Sequence, residues 1–297
     1  MRTILALLNR NRKLFFRDKG MLFSSLITPV ILIVLYATFL ANVYKDSFQA
    51  SLPEMVSVSE KLIDGTVAAQ LAAALLAVSC VTVTFCVNLT MIQDRASGVR
   101  KDFNVSPVRK PVIYLGYFFS TVGNSLMVNF LALALCLGYV RMKGWYLSAG
   151  DVLWLLLDVV ILVLFGCVLS SIVCYPLKTQ GQMSAVGTIV SAGYGFICGA
   201  YMPVSNFGEG LQKVLSYLPG TYGTSLLKNH MLRGIFAEMA DNGFPEEVIT
   251  AIGDSLDCNP VLGETVVSPR GMLIIMLGSI VVLGGIYLGM TALPEKE

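Results

Sequence analysis

Apolar residues gather into six long blocks, at about 21–43, 67–92, 112–140, 152–175, 184–202 and 271–293. Each block approaches or exceeds the roughly 20 residues a helix needs to cross the hydrocarbon core. Polar intervals separate them. Residues 2–19 are polar and basic but carry Ile4, Leu8 and Phe15 on one helical face and Arg10, Lys13 and Arg17 on the other, which predicts a helix over 1–20 lying in the membrane interface. The interval Gln93–Pro111 predicts a short surface helix over Asp94–Phe103, ended by Pro107 and Pro111. Between the fifth and sixth blocks lie two apolar pieces, 207–218 and 221–232, split by Pro219-Gly220. Neither can span, so 204–232 reads as a helical hairpin dipping in from one face, with an acidic segment, 233–268, after it. The fold expected is an all-α integral membrane protein of six transmembrane helices in one domain, 1–297, with Pro29 kinking the first span.

Composition agrees. The chain is 55% hydrophobic and 13% charged, about half the charge of a soluble domain. Its net charge of +2 comes from cations at the flanks of the apolar blocks, which gives no face for nucleic acid. The cations also set the sides. Residues 2–19 and the 94–110 interval, with Arg95, Arg100, Lys101, Arg109 and Lys110, are basic. The intervals 44–66 and 233–268 carry most of the carboxylates. The positive-inside rule then puts both termini in the cytoplasm of a multi-pass cell-membrane protein, with 44–66 and 233–268 outside.

Little catalytic chemistry is legible. Neither a phosphate-loop motif nor a nucleophile elbow occurs, and no His/Cys spacing suits a metal. Six of the seven cysteines fall in apolar blocks; Cys258 alone lies in a polar one, so no extramembrane pair is expected. The glycosylation patterns at Asn88 and Asn104 fall in a span and on the cytoplasmic side. Asp158 is a carboxylate inside the fourth block; it either lines a path or pairs locally, for instance near Trp154. Asn124 and Asn129 pose the same choice more weakly, and His230 reads as a packing residue. Gly187, Ser191, Gly195 and Gly199 recur every four residues and let a helix approach, from a second subunit or from the same one.

The order of these features resembles the membrane subunit of ABC exporters of the ABC-2 type, the type V fold typified by drug-resistance and polysaccharide-export permeases. The entry R-N-R-K-L-F-F-R-D-K resembles the family's connecting helix. The stretch D-R-A-S-G-V-R-K-D-F-N-V-S-P-V-R-K-P resembles its coupling loop: Asp94, Arg95, Gly98 and Pro107 fit, whereas Ala96 and Val99 replace a usual carboxylate and threonine. Gly199, Pro203, Leu211, Pro219, Tyr222 and Arg233 stand where its outer re-entrant hairpin has them.

The resemblance implies two permease subunits, identical or paralogous, in a bacterial membrane, and separate ATPase subunits that bind ATP and Mg; this chain would hold no cofactor and be no enzyme. Asp94, Arg95, Gly98, Arg100, Lys101, Phe103 and Pro107 would couple to the ATPase, Phe103 as the knob. Asn124, Asn129, Asp158, Tyr194, Pro203, Pro219 and Tyr222 would line or gate the path. The implied cargo is a hydrophobic or amphipathic drug or antimicrobial peptide. Lipid or polysaccharide export is the rival, and a self-contained secondary transporter or channel the more distant alternative.

Overall fold

The computed structural model describes residues 2–20, 22–23, 25, 30, 34, 59–105, 108, 110–263 and 265–292. The expected first span, 21–43, lies outside them except for isolated positions, as do Pro29, the interval 44–58, Pro107 and Arg109. The side chains of Lys101 and Phe103 also lie outside the described part.

The described residues form a helical bundle: α1 (Arg2–Arg17), α2 (Glu60–Ala96), α3 (Val99–Val105), α4 (Lys110–Lys143), α5 (Ala149–Cys174), α6 (Gln180–Ile197), α7 (Glu209–Ser216), α8 (Pro219–Asp241), α9 (Glu246–Ser255) and α10 (Pro269–Ala292). A two-residue hairpin pairs Val261–Leu262 (β1) antiparallel with Thr265–Val266 (β2). Four of these helices, α2, α4, α5 and α10, are long and apolar enough to cross a membrane. The fifth expected span is α6, which is shorter than expected and is not among the four. It stops because Gly199 takes a left-handed conformation (φ 71°), and the Ala200 and Gly199 N–H groups close back on the Gly195 and Phe196 carbonyls.

The bundle is organised around α2. Its 37 residues make a rod of about 55 Å, and 89% of its most apolar window is buried. Helices α4, α5, α6 and α8 pack around it. Ser59 caps its first turn, accepting from the Leu62 N–H. The helices beside it start just as locally: Ser148 and Asp151 form a reciprocal capping box on α5, and Thr179 and Gln182 form one on α6. By contrast α10 is exposed along most of its length, as a lipid-facing helix is.

Two sequence expectations need correction. The helix expected over Asp94–Phe103 is two pieces. α2 carries through Arg95 to Ala96, Gly98 turns the chain at φ 80°, and α3 starts afresh at Val99. An L side chain is strained at that φ, so glycine places the break there. The face of α1 turned to the bundle is only partly the one expected. Phe15 is buried and Ile4 and Leu8 are half-buried, but Leu7 and Asn11 complete the buried stripe, with Leu7 over Gly116, Asn11 on Ser120 and Phe15 in a cluster with Val83, Val87 and Val128. Arg10 therefore turns inward.

The hairpin expected over 204–232 is also asymmetric. Its first limb is the eight-residue α7; its second, α8, begins at Pro219 and runs to Asp241, through the start of the segment expected to be extracellular. Proline at the first helical position accounts for the sharp start.

At Gly234 a Cβ would stand 1.8 Å from the Tyr146 carbonyl oxygen, whereas at Gly187 it would meet nothing within 4 Å. Gly234→Ala should therefore cost about 1–3 kcal/mol, seen as a lower thermal unfolding midpoint in detergent. Gly187→Ala should leave that midpoint unchanged or raise it. Equal effects of the two would refute this packing.

Candidate functional site

Polar side chains meet at two ends of the bundle. At the α3 end, Asp94 is buried and accepts two hydrogen bonds from Arg10 (2.6 and 2.8 Å) and one from the Tyr117 hydroxyl (2.5 Å). Such bidentate, charge-assisted pairs are the strong ones, and this pair fastens α1 to α2 and α4. The carboxylate holds the pKa of the Arg10 guanidinium above its usual value. One residue on, Arg95 donates to the carbonyls of Tyr175 and Leu177 (2.8 Å to Leu177) and to the Tyr114 hydroxyl (3.1 Å). It thereby satisfies carbonyls just past the end of α5, where a cation also suits the helix dipole. Arg100, on α3, donates to the same hydroxyl and lies 4.6 Å from the Tyr114 ring centroid.

The residues expected to form an exposed coupling patch are thus divided. Asp94 and Arg95 of α2 and Arg100 of α3 point into the bundle, and Arg100 ties α3 to it; among the described side chains of α3, Asp102 and Val105 are exposed.

At the other end, Asp158 on α5 is buried and lies 2.6 Å through Oδ2 from Nδ1 of His230 on α8. Trp154, one turn earlier on α5, stacks on the imidazole at 5.3 Å. The pairing of Asp158 is therefore across helices, and His230 is its partner. A cavity of about 620 Å³ opens beside the pair, lined by Trp154, His230, Arg233 and Arg270 together with apolar side chains of α8 and α10.

A second buried pair closes this end. Lys228 Nζ lies 3.0 Å from the Gly199 carbonyl and 3.5 Å from Asp257 Oδ2, and that oxygen also accepts from the Val204 N–H (2.8 Å). One ammonium so joins α8, the turn after α6 and the segment beyond α9. Burial raises the Asp257 pKa, and Lys228 opposes the rise. Cys258 beside it is buried, with its pKa pushed up to about 12, so it is a protonated thiol at neutral pH. The sequence reading passed over Lys228. The available signal was an ammonium within an apolar helix, which must find a partner.

The remaining path candidates make contacts within the bundle. Asn129 accepts from Ser79 (2.8 Å) and donates to the Ser125 carbonyl (2.9 Å), joining α4 to α2. Asn124 is buried in a polar seam with Asn11, Asn88 and Tyr117. Asn88 itself donates to Ser170 and Ser171. Tyr222 donates to the Ser216 carbonyl (2.5 Å), closing the α7–α8 turn. Tyr194 is buried against Gly220, Pro203 precedes the 3-10 turn Val204–Asn206, and Pro219 starts α8. Of the small residues on α6, Gly195 lies under the Tyr201 ring and Gly199 under Val204 of the same chain; Gly187 and Ser191 are half-buried.

These features define a multi-pass, all-α membrane protein with a short helix at one end latched to the bundle by arginines. The family model for ABC-2 type transporters matches residues 2–232, and the chain belongs to that family. It is therefore the permease component of an ABC transporter, of a kind that works with ATPase subunits. No curated protein matches the sequence.

Two predictions follow from the buried pairs. Asp94→Ala should cost about 2–3 kcal/mol and speed proteolysis of α1. A double-mutant cycle with Arg10→Ala should show that the two losses do not add; additive losses would mean that the pair does not hold α1. Lys228→Ala should cost about 3–5 kcal/mol, and the pair Lys228→Met with Asp257→Asn should recover much of it, read by thermal unfolding.

Proposed function

We propose that the chain is the permease of an ATP-driven exporter. Two subunits, identical or paralogous, form the path in the cell membrane, with both termini and α3 on the cytoplasmic side. Separate ATPase subunits bind ATP and Mg and dock on α3 and the basic turn after it, with Phe103 and Val105 entering a groove and Lys101 at its rim. Cargo is a hydrophobic or amphipathic compound, a reading supported by the apolar bundle and by the acidic residues of 233–268.

The observation that carries the proposal is the way α3 is mounted. It is set off from α2 by the Gly98 turn, yet Arg100 ties it to Tyr114 and the neighbouring Arg95 ties α2 to the end of α5. A push on α3 reaches α2, α4 and α5 through charged contacts instead of being absorbed in a loose loop. For ATP to do work, these contacts must differ in energy between two arrangements of the bundle.

The test uses the chain with the ABC ATPase that copurifies with it, reconstituted in proteoliposomes. Phe103→Ala and Gly98→Pro should insert normally but lose about tenfold or more of ATP-driven efflux of an amphipathic dye, equivalent to roughly 1.4 kcal/mol of coupling. If both variants keep full ATP-driven transport, the docking assignment fails. Energised transport by the chain with no ATPase present would overturn the whole reading.

A further inference from the structure

The cavity between α5, α8 and α10 differs in character from the rest of the bundle. Among the described residues its lining holds three basic side chains, His230, Arg233 and Arg270, and no carboxylate. Its volume of about 620 Å³ lies within the range of small-molecule sites.

Of the three, Arg233 and Arg270 are not fully neutralised among the described residues. Arg270 is exposed and makes no ion pair among the described residues. Arg233 has Asp151 at 3.5 Å and stays 65% exposed, while the same Asp151 already serves the α5 capping box. His230 gives Nδ1 to Asp158, which leaves Nε2 as the ring nitrogen for another partner.

Going away from the α9 end, α8 contributes Phe236, then Arg233, His230 and Asn229, then Leu226, and α10 contributes Pro269 and Arg270, then Leu273 and Ile274, so the far part of the lining is apolar. Arg233 and Leu226 are seven residues apart, about 10 Å along the helix. The cavity also meets an apolar outer flank, where Ile274, Trp154 and Leu157 are exposed.

We infer that this cavity binds an anionic phospholipid. Its phosphate sits between Arg233 and Arg270, within reach of His230, and part of an acyl chain lies along Leu226, Leu273 and Ile274. A guanidinium pair suits phosphate geometry, and its charge is worth most beside a low-dielectric wall. A soluble anion would have no use for the apolar depth. A neutral or cationic amphiphile would leave the arginines facing a tail or a like charge. The site belongs to one subunit, needs no ATPase, and lies partly beyond the matched family region, since α10 follows residue 232.

The test uses the full chain in lipid nanodiscs with Trp145→Phe, so that Trp154, in the cavity wall, is the only tryptophan. Zwitterionic discs receive increasing fractions of phosphatidylglycerol or phosphatidylcholine brominated on the acyl chains, and quenching of Trp154 is measured. The anionic lipid should reach half-quenching at about tenfold lower mole fraction. Arg233→Gln with Arg270→Gln should remove that preference, whereas Arg141→Gln, outside the cavity, should keep it. Arg270→Gln alone should weaken it with no change in thermal unfolding, since that side chain is exposed and makes no ion pair among the described residues. Equal quenching by both lipids, or a preference that survives in the double variant, overturns the inference. A parallel titration of bromine-free discs with inorganic phosphate separates the sources. Saturable change in Trp154 emission there, without a bromolipid preference, would make the site a soluble-phosphate site and reject the lipid. Failure here leaves the exporter reading standing, because no ATPase takes part.

Discussion

Enclosure of α2 is the constraint on which the rest depends. A helix surrounded by other helices has no water to satisfy its polar side chains, so they are drawn to partners inside the bundle. α2 carries Ser79, Asn88 and Asp94 among others, and their partners are Asn129 on α4, Ser170 and Ser171 on α5, and Arg10 on α1 with Tyr117 on α4. Without a strong hydrophobic drive between helices in lipid, such bonds and close packing decide which helix lies beside which. Ser79, Asn88 and Asp94 thus act as addresses for the neighbours of α2.

The two ends of the bundle use charge differently. At the α3 end, Arg10 of α1 is turned onto the Asp94 carboxylate, and Arg95 and Arg100 onto carbonyl oxygens and a tyrosine, which fastens α1, α2 and α3 to the bundle. At the α9 end, Lys228 closes the segment beyond α9 onto the bundle, while Arg233 and Arg270 remain open at a cavity. A positive-inside count treats all these cations alike. The structure separates those that fasten helices from those still available to a partner.

Much of the fold was legible. Apolar length alone located α2, α4, α5 and α10, and Pro219-Gly220 correctly divided the pieces that became α7 and α8. Gly98 and Gly199 were noted for other reasons, as a motif residue and as a small residue, but each ends a helix through its left-handed φ. The candidate site was less legible. Asp158 stood out as a charge in a span, but its partner His230 lies 72 residues away, and no local pattern joins them. Lys228 and Asp257 are 29 residues apart and lie in segments of different character. Asp94, Arg95 and Arg100 were recognised, but with the wrong orientation: a run of charge in a sequence looks the same whether it faces solvent or the bundle.

By itself, then, the sequence determined that this is an all-α membrane protein of the ABC-2 kind, where several of its spans lie, and which short segment separates the second apolar block from the third. Local physics suffices for that, because hydrocarbon imposes a length and helix ends carry their own caps and glycines. Only the tertiary structure decided that α2 is the axis, that the arginines of the loop are latches, and that a histidine and two further arginines surround one cavity. Those outcomes depend on which faces of distant helices meet, and the energy that fixes the meeting belongs to pairs of residues far apart in the chain.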